Sequence, residues 1–157
     1  MESKDDYIER MRIIDDGVRN EQRWQYYFMD VALLTSQLSH CIKLKVGAIA
    51  VRERRIICTG FNGTLPGACN CCEEEVDGVL KTKPDTEHAE RNLIYHAARH
   101  GIALEGADLY VTHAPCVVCA RAIIMAGIAS VSYRHDYKSD AGLNLLGDHL
   151  IPVIQRI

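Results

Sequence analysis

The chain has 157 residues, 48% of them hydrophobic and 25% charged, which describes one globular domain and excludes a disordered or fibrous chain. Its formal net charge of −3 argues against a protein built to grip a phosphate backbone, although one nucleotide needs only a local cation or two. No apolar run reaches the roughly 18 residues of a membrane span, and the acidic start MESKDDYIER is unlike a signal or transit peptide, so the expectation is a cytoplasmic protein.

Residues 7–39 alternate polar and apolar positions at helical spacing, through Tyr26, Met29, Leu33 and Leu34. This predicts a long amphipathic helix, interrupted near Asp15-Asp16-Gly17. Val46–Val51 and Ile56–Phe61 are rich in β-branched residues around a charged turn, Arg52–Arg55, and predict a β-hairpin. Residues 62–86 hold Gly63, Pro66, Gly67, Gly78, Pro84 and the cluster Cys69-Asn70-Cys71-Cys72, and read as a long irregular loop that is functional or clamped. Within it, Glu73-Glu74-Glu75 reads as a solvated face. Helix and strand then alternate: helix Ala89–His100 stopped by Gly101, strand Ala107–Thr112, helix Cys116–Ala126, strand Ile128–Tyr133, helix Asp140–His149 and strand Leu150–Ile154. That order implies right-handed crossovers, a parallel second half, and a mixed sheet with helices on both faces.

Seven cysteines are many for a reducing compartment, where they serve as metal ligands or small buried hydrophobes more often than as disulfides. Two segments give some of them a chemistry. His88-Ala89-Glu90 opens one predicted helix, and Pro115-Cys116-Val117-Val118-Cys119 opens the next. Cysteines three apart on a helical turn share a face, so both sulfurs reach one metal. The helix N-terminus favours the thiolate, the form that binds zinc. With His88 the set is one nitrogen and two sulfurs. A structural zinc takes four protein ligands, whereas three leave a position for water, the pattern of a catalytic site. Glu90, two residues past the histidine, is placed as a general acid/base. A lone Cys-x-x-Cys is also found in redox motifs and zinc ribbons, and a lone histidine is often a core or cap residue. The pair together matches the signature H-x-E…P-C-x-x-C of zinc nucleobase deaminases. In that chemistry a zinc supplies an activated water at neutral pH, and Glu90 moves protons from the water to the ring N3 and the departing amine.

The stretches Ser39–Ala48, Ile56–Gly63, His88–Ile94 and Tyr110–Cys116 together resemble the deoxycytidylate (dCMP) deaminase family, phage-encoded members above all. The resemblance runs from about residue 30 to the C-terminus. It implies a single domain over 1–157 with the cytidine-deaminase-like αβα three-layer sandwich on a mixed five-stranded sheet. It also implies a homo-oligomer, often a hexamer, and zinc-dependent conversion of dCMP to dUMP for thymidylate synthesis, in the host cytoplasm for a phage-encoded copy. By the same resemblance, Asn62 holds the sugar or nucleotide, Ala114 offers backbone groups to the pyrimidine amine, Tyr137 covers the ring, and Lys138 or Arg134 meets the 5′-phosphate. The alternatives are a turn residue for Asn62 and an exposed polar loop for the cations. Gly60, Phe61, Asn62 and Gly63 match a segment of the family's allosteric site, which implies activation by dCTP, with Mg²⁺, and inhibition by dTTP. Some phage relatives hold a structural zinc with cysteines matching Cys41 and Cys71. No histidine lies between Cys72 and His88 to complete that site, so Cys69, Asp85 or Glu87 would have to substitute, and ordinary buried thiols are the alternative. Cys58 reads as core packing. Rival activities are a tRNA adenosine deaminase, disfavoured by the acidic balance, and a riboflavin-pathway deaminase, which usually carries a fused reductase. A non-catalytic zinc-stabilised regulatory subunit is the alternative of another class, and it has no use for Glu90.

Overall fold

The computed structural model describes residues 4–156. Helix α1 (Lys4–Ser36) is followed by strands β1 (Gly47–Arg52) and β2 (Arg55–Phe61), then by β3 (Glu73–Val76) and β4 (Val79–Thr82). Helix α2 (Ala89–His100), strand β5 (Asp108–His113), helix α3 (Val117–Met125), strand β6 (Ser130–His135), helix α4 (Ala141–Asp148) and strand β7 (Val153–Gln155) complete the chain. The main sheet runs β2-β1-β5-β6-β7. β1 is antiparallel to both β2 and β5, whereas β5, β6 and β7 are parallel, so the expected mixed sheet and parallel second half are present.

Alternation along β1 divides the core. Ile49 and Val51 face α1, where they pack with Phe28, Met29, Ala32 and Tyr110. Ala48 and Ala50 face the other way, into a cluster that includes Leu93 of α2, Ile123 of α3 and Leu146 of α4. α1 therefore forms one outer layer and α2, α3 and α4 the other, giving the three-layer sandwich. Small residues on the second face let the helices sit close to the sheet, which is what brings the starts of α2 and α3 together. Gly101 ends α2 in the left-handed conformation at φ 66°, as its sequence position implies.

Two expectations change. α1 is not interrupted at Asp15-Asp16-Gly17; it continues through Gly17, and packing of its C-terminal half supplies the stability that one glycine of poor helix propensity removes. The stretch 62–86 is not wholly irregular, because β3 and β4 form a separate two-stranded hairpin. Its turn is Asp77-Gly78, both at positive φ, the pairing that a two-residue hairpin turn selects. Glu74 and Glu75 are exposed, but Glu73 is half-buried, and its Oε1 accepts hydrogen bonds from the backbone N–H groups of Ile42 and Lys43, each at 3.0 Å. Among the described residues no helix is long and apolar enough to cross a membrane.

Candidate metal centre and pocket

His88 and Cys116 occupy equivalent places: each is the N-cap of its helix, α2 and α3, with extended backbone. Both side chains are thus presented at the end of a helix over the C-terminal edge of the sheet, and Cys119 joins them from the first turn of α3. The Nδ1 of His88 lies 3.6 Å from Cys116 Sγ and 3.4 Å from Cys119 Sγ. All three donor atoms fall within 4.8 Å of one another, and among the described residues no other group of three such side chains does.

The electrostatics fit a cation. Hydrogen bonds from Cys119 and His88 hold the Cys116 thiol far below its usual range, at about 3. The shared hydrogen bond, then burial and the nearby Glu90 carboxylate, push Cys119 up. Its hydrogen bond with Cys116 pulls His88 up against the opposing effect of burial. Three donors thus compete for protons in one small space, and a divalent ion that accepts imidazole and thiolate ligands relieves that competition. Glu90, 3% exposed on the first turn of α2, completes the group. Burial pushes its carboxyl up, and a hydrogen bond with Cys119 works in the opposite direction.

These residues open into a pocket lined also by Asn62, Ala114 and Tyr137, to which the family resemblance gives substrate roles, and by Leu44, Val46, Thr82, Thr86 and His113. The rings of Tyr137 and His88 stand edge to face with centroids 6.5 Å apart. Asn62 is largely committed to backbone: its Oδ1 accepts from Val46 N–H and its Nδ2 donates to Leu44 O, both at 2.8 Å. It holds the 44–46 segment in place and has one N–H to spare. The Ala114 N–H donates to His135 O at 2.8 Å, which leaves the carbonyl as the group it can offer. Lys138 is exposed with its Nζ 5.4 Å from the centroid of the Tyr137 ring, and Arg134 is half-buried; both lie outside the pocket lining.

Gly60 is buried beneath α2, but Phe61, Asn62 and Gly63 line a second pocket with His40, Leu65 and Asn92. Asn62 belongs to both pockets. Gly63 exchanges backbone hydrogen bonds with Glu87, the residue before His88, at 3.1 and 2.8 Å.

The cysteines divide differently from the expectation. Four are bonded, Cys41 to Cys72 and Cys69 to Cys71, so the sequence reading of reduced thiols fails at these positions. Cys41 faces Cys72 and not Cys71, because Glu73 fastens the base of the hairpin to residues 42 and 43. Cys58 is free and buried in β2, with its Sγ 3.5 Å from Leu93 O, as core packing requires.

His113 is a pocket residue that received no role from sequence. Its Nδ1 is 3.0 Å from Thr112 Oγ1, and its ring lies 5.0 Å from that of His135 at 39°. Burial, then the neighbouring His135, hold it below the ordinary histidine range. Its place three residues before Cys116, at the end of a strand, was the available signal.

Residues 22–135 match the family described as the cytidine and deoxycytidylate deaminase zinc-binding region. The chain is 40% identical over 116 residues to ComE operon protein 2 of Bacillus subtilis, an alignment covering 74% of this chain and 61% of that protein. It is 34% identical over 142 residues to the deoxycytidylate deaminase of Saccharomyces cerevisiae, covering 83% of this chain but only 45% of the yeast protein. The crystal structure of the dCMP deaminase from cyanophage S-TIM5 in complex with dCMP and dUMP superposes with a TM-score of 0.79 at 37% identity, covering 84% of this chain and 96% of that one.

Proposed function

The chain belongs to the cytidine and deoxycytidylate deaminase zinc-binding family, and from that premise we propose that it is a zinc enzyme that hydrolyses dCMP to dUMP and ammonia, feeding thymidylate synthesis. The observation that carries the reading is the convergence of His88, Cys116 and Cys119 beside the buried carboxyl of Glu90, at the floor of a pocket walled by Asn62 and Tyr137. The likeness to a cyanophage enzyme crystallised with dCMP and dUMP supports the choice of substrate.

His88 Nδ1 and the two sulfurs would hold the metal. When bound there, zinc supplies a Lewis acid that brings the pKa of water toward ~7. Glu90 does the proton work. Burial pushes its carboxyl up, so it holds a proton more readily than an exposed carboxyl, as a general acid must. It accepts a proton from the attacking water, delivers it to the ring N3 so that C4 becomes electrophilic, and passes another to the departing amine. The Ala114 carbonyl accepts from the amine before it leaves. The spare N–H of Asn62 meets the sugar, the Tyr137 ring covers the pyrimidine, and Lys138, with Arg134 further out, serves the 5′-phosphate.

The same reading extends to regulation. dCTP with Mg²⁺, or dTTP, would occupy the pocket of Phe61, Asn62 and Gly63, with Gly60 setting the strand beneath. Asn62 and the Gly63–Glu87 bridge link that pocket to His88. A homo-oligomer, a hexamer by family resemblance, belongs to this reading. So does a second zinc on Cys41 and Cys71, which these disulfides confine to reduced protein.

The decisive experiment is ammonia release from dCMP, with cytidine, dCTP and adenosine-containing RNA as competitors. Glu90→Gln should keep its zinc and lose about 10²- to 10⁴-fold in kcat. Wild-type protein that binds zinc but releases no ammonia from dCMP overturns the reading in favour of a non-catalytic subunit. A dCMP saturation curve unmoved by dCTP and dTTP removes the regulatory part alone.

A further inference from the structure

Two glycines outside the ligand set touch the backbone of the two segments that carry it. Gly142, in the first turn of α4, is buried against the Pro115–Cys116 peptide. A methyl group there would overlap the Pro115 carbonyl oxygen and come within 2.8 Å of the Cys116 carbonyl carbon. Pro115 is itself fully buried, so the peptide has nowhere to retreat. Gly60, in β2, meets the other half of the site. A methyl group there would lie 2.5 Å from the carbonyl oxygen of Ala89, the residue between His88 and Glu90. It would also lie 2.6 Å from Leu93 N and 2.8 Å from Leu93 Cβ. All of these are distances that real Cβ atoms essentially never adopt, and the atoms concerned are mostly backbone. Gly147, on the same helix as Gly142, has nothing within 4 Å.

We infer that Gly60 and Gly142 are positioning residues that set the separation between the His88/Glu90 half of the site and the Cys116/Cys119 half. Neither touches a metal or substrate. Each fixes how closely a neighbouring element approaches the helix end that presents a ligand. His88 Nδ1 and the sulfurs stand 3.4 and 3.6 Å apart, so a shift of a few tenths of an ångström in either half changes which donors one ion can reach together. The inference rests on the zinc reading above, and metal content of the wild-type protein tests that reading first.

The experiment compares Gly142→Ala and Gly60→Ala with two controls, Gly147→Ala and Leu146→Ala. Leu146 is fully buried on α4 beside the other core residues, so its truncation destabilises the helix without filling the Gly142 contact. The readouts are the rate at which each protein gives up zinc to a chelator, the spectrum after cobalt substitution, and the melting temperature. Gly142→Ala and Gly60→Ala should lose metal affinity by roughly 10- to 100-fold, the range seen when groups supporting a ligand are changed. Their cobalt–thiolate bands should also shift. Gly147→Ala should match wild type throughout, and Leu146→Ala should melt earlier with an unaltered cobalt spectrum. If Gly142→Ala is insoluble, Gly60→Ala carries the test from the other half. Wild-type zinc release and an unshifted spectrum in the soluble glycine variants overturn the inference. So does an equal zinc loss in Leu146→Ala, which would assign the effect to general loosening. Wild-type protein that binds no zinc sinks the metal reading instead, a separate result.

Discussion

The two walls of the pocket are built by opposite means. On one side, α2 and α3 are sunk into the core: Ala89, Leu93, Cys119, Ala120 and Ile123 are all fully buried, and the ligands ride on their ends. On the other, the β3–β4 hairpin has no buried residue between Glu73 and Thr82. It is held by the Cys41–Cys72 bond, by Glu73 on the amides of Ile42 and Lys43, and by the hydrogen bonds of Lys83 N–H and Thr86 Oγ1 to Cys72 O. The groups proposed to hold the metal are fastened by packing, which fails only as a whole. The hairpin groups that line the pocket, Glu73 and Thr82, are fastened by a few polar or covalent ties, which can be cut one at a time. Changes on the first side should therefore act on metal content and kcat, and changes on the second on KM.

The largest effect expected is from Cys119→Ala, which removes a ligand and a fully buried side chain together; zinc analysis should find the metal gone and turnover with it. If that variant keeps its zinc, the metal site lies elsewhere. Leu93→Ala tests whether packing carries this wall. It should cost about 2–5 kcal/mol, read by denaturant unfolding, because the leucine fills the space between α2 and the sheet. Cys72→Ser opens the tie between residues 41 and 72 and should cost about 2–4 kcal/mol while raising KM more than it lowers kcat. A drop in kcat at constant KM would show that the hairpin governs chemistry, and the contrast between the walls would fall. Glu73→Ala is the mildest. Losing two half-exposed hydrogen bonds should cost about 1 kcal/mol, with a modest rise in KM seen in a dCMP saturation curve.

The same contrast explains what could be read before the structure was known. The packed wall was legible because its rules are local and periodic. Gly101 stops α2, Pro115 precedes α3, and His-x-Glu with Cys-x-x-Cys puts four side chains at two helix starts. The strand and helix ends fell within a residue or three of the expected ones. The hairpin wall was obscured because loop signals dominated residues 62–86, although Asp77-Gly78 was itself a hairpin signal. Glu73 looked like its neighbours Glu74 and Glu75, and only the fold reveals that it faces two amides some thirty residues earlier. The disulfide partners of Cys41 and Cys71 could not come from spacing, since the pairing depends on where the hairpin base lands. Gly60 read as part of a nucleotide motif, and its burial against Ala89 needed the third dimension.

The partition of the cysteines also gives the protein a built-in gauge. Four sulfurs are tied in pairs, two are the candidate ligands, and the seventh, Cys58, is 6% exposed behind Leu93. A colorimetric thiol titration of native, metal-loaded protein should therefore find almost no reactive sulfur. Adding a chelator should release the half-buried thiol of Cys116 and leave the fully buried Cys119 as silent as Cys58, so that one equivalent of colour counts one occupied site. Cys58 should then answer only on unfolding, which lets one reagent report the metal and the core in separate steps.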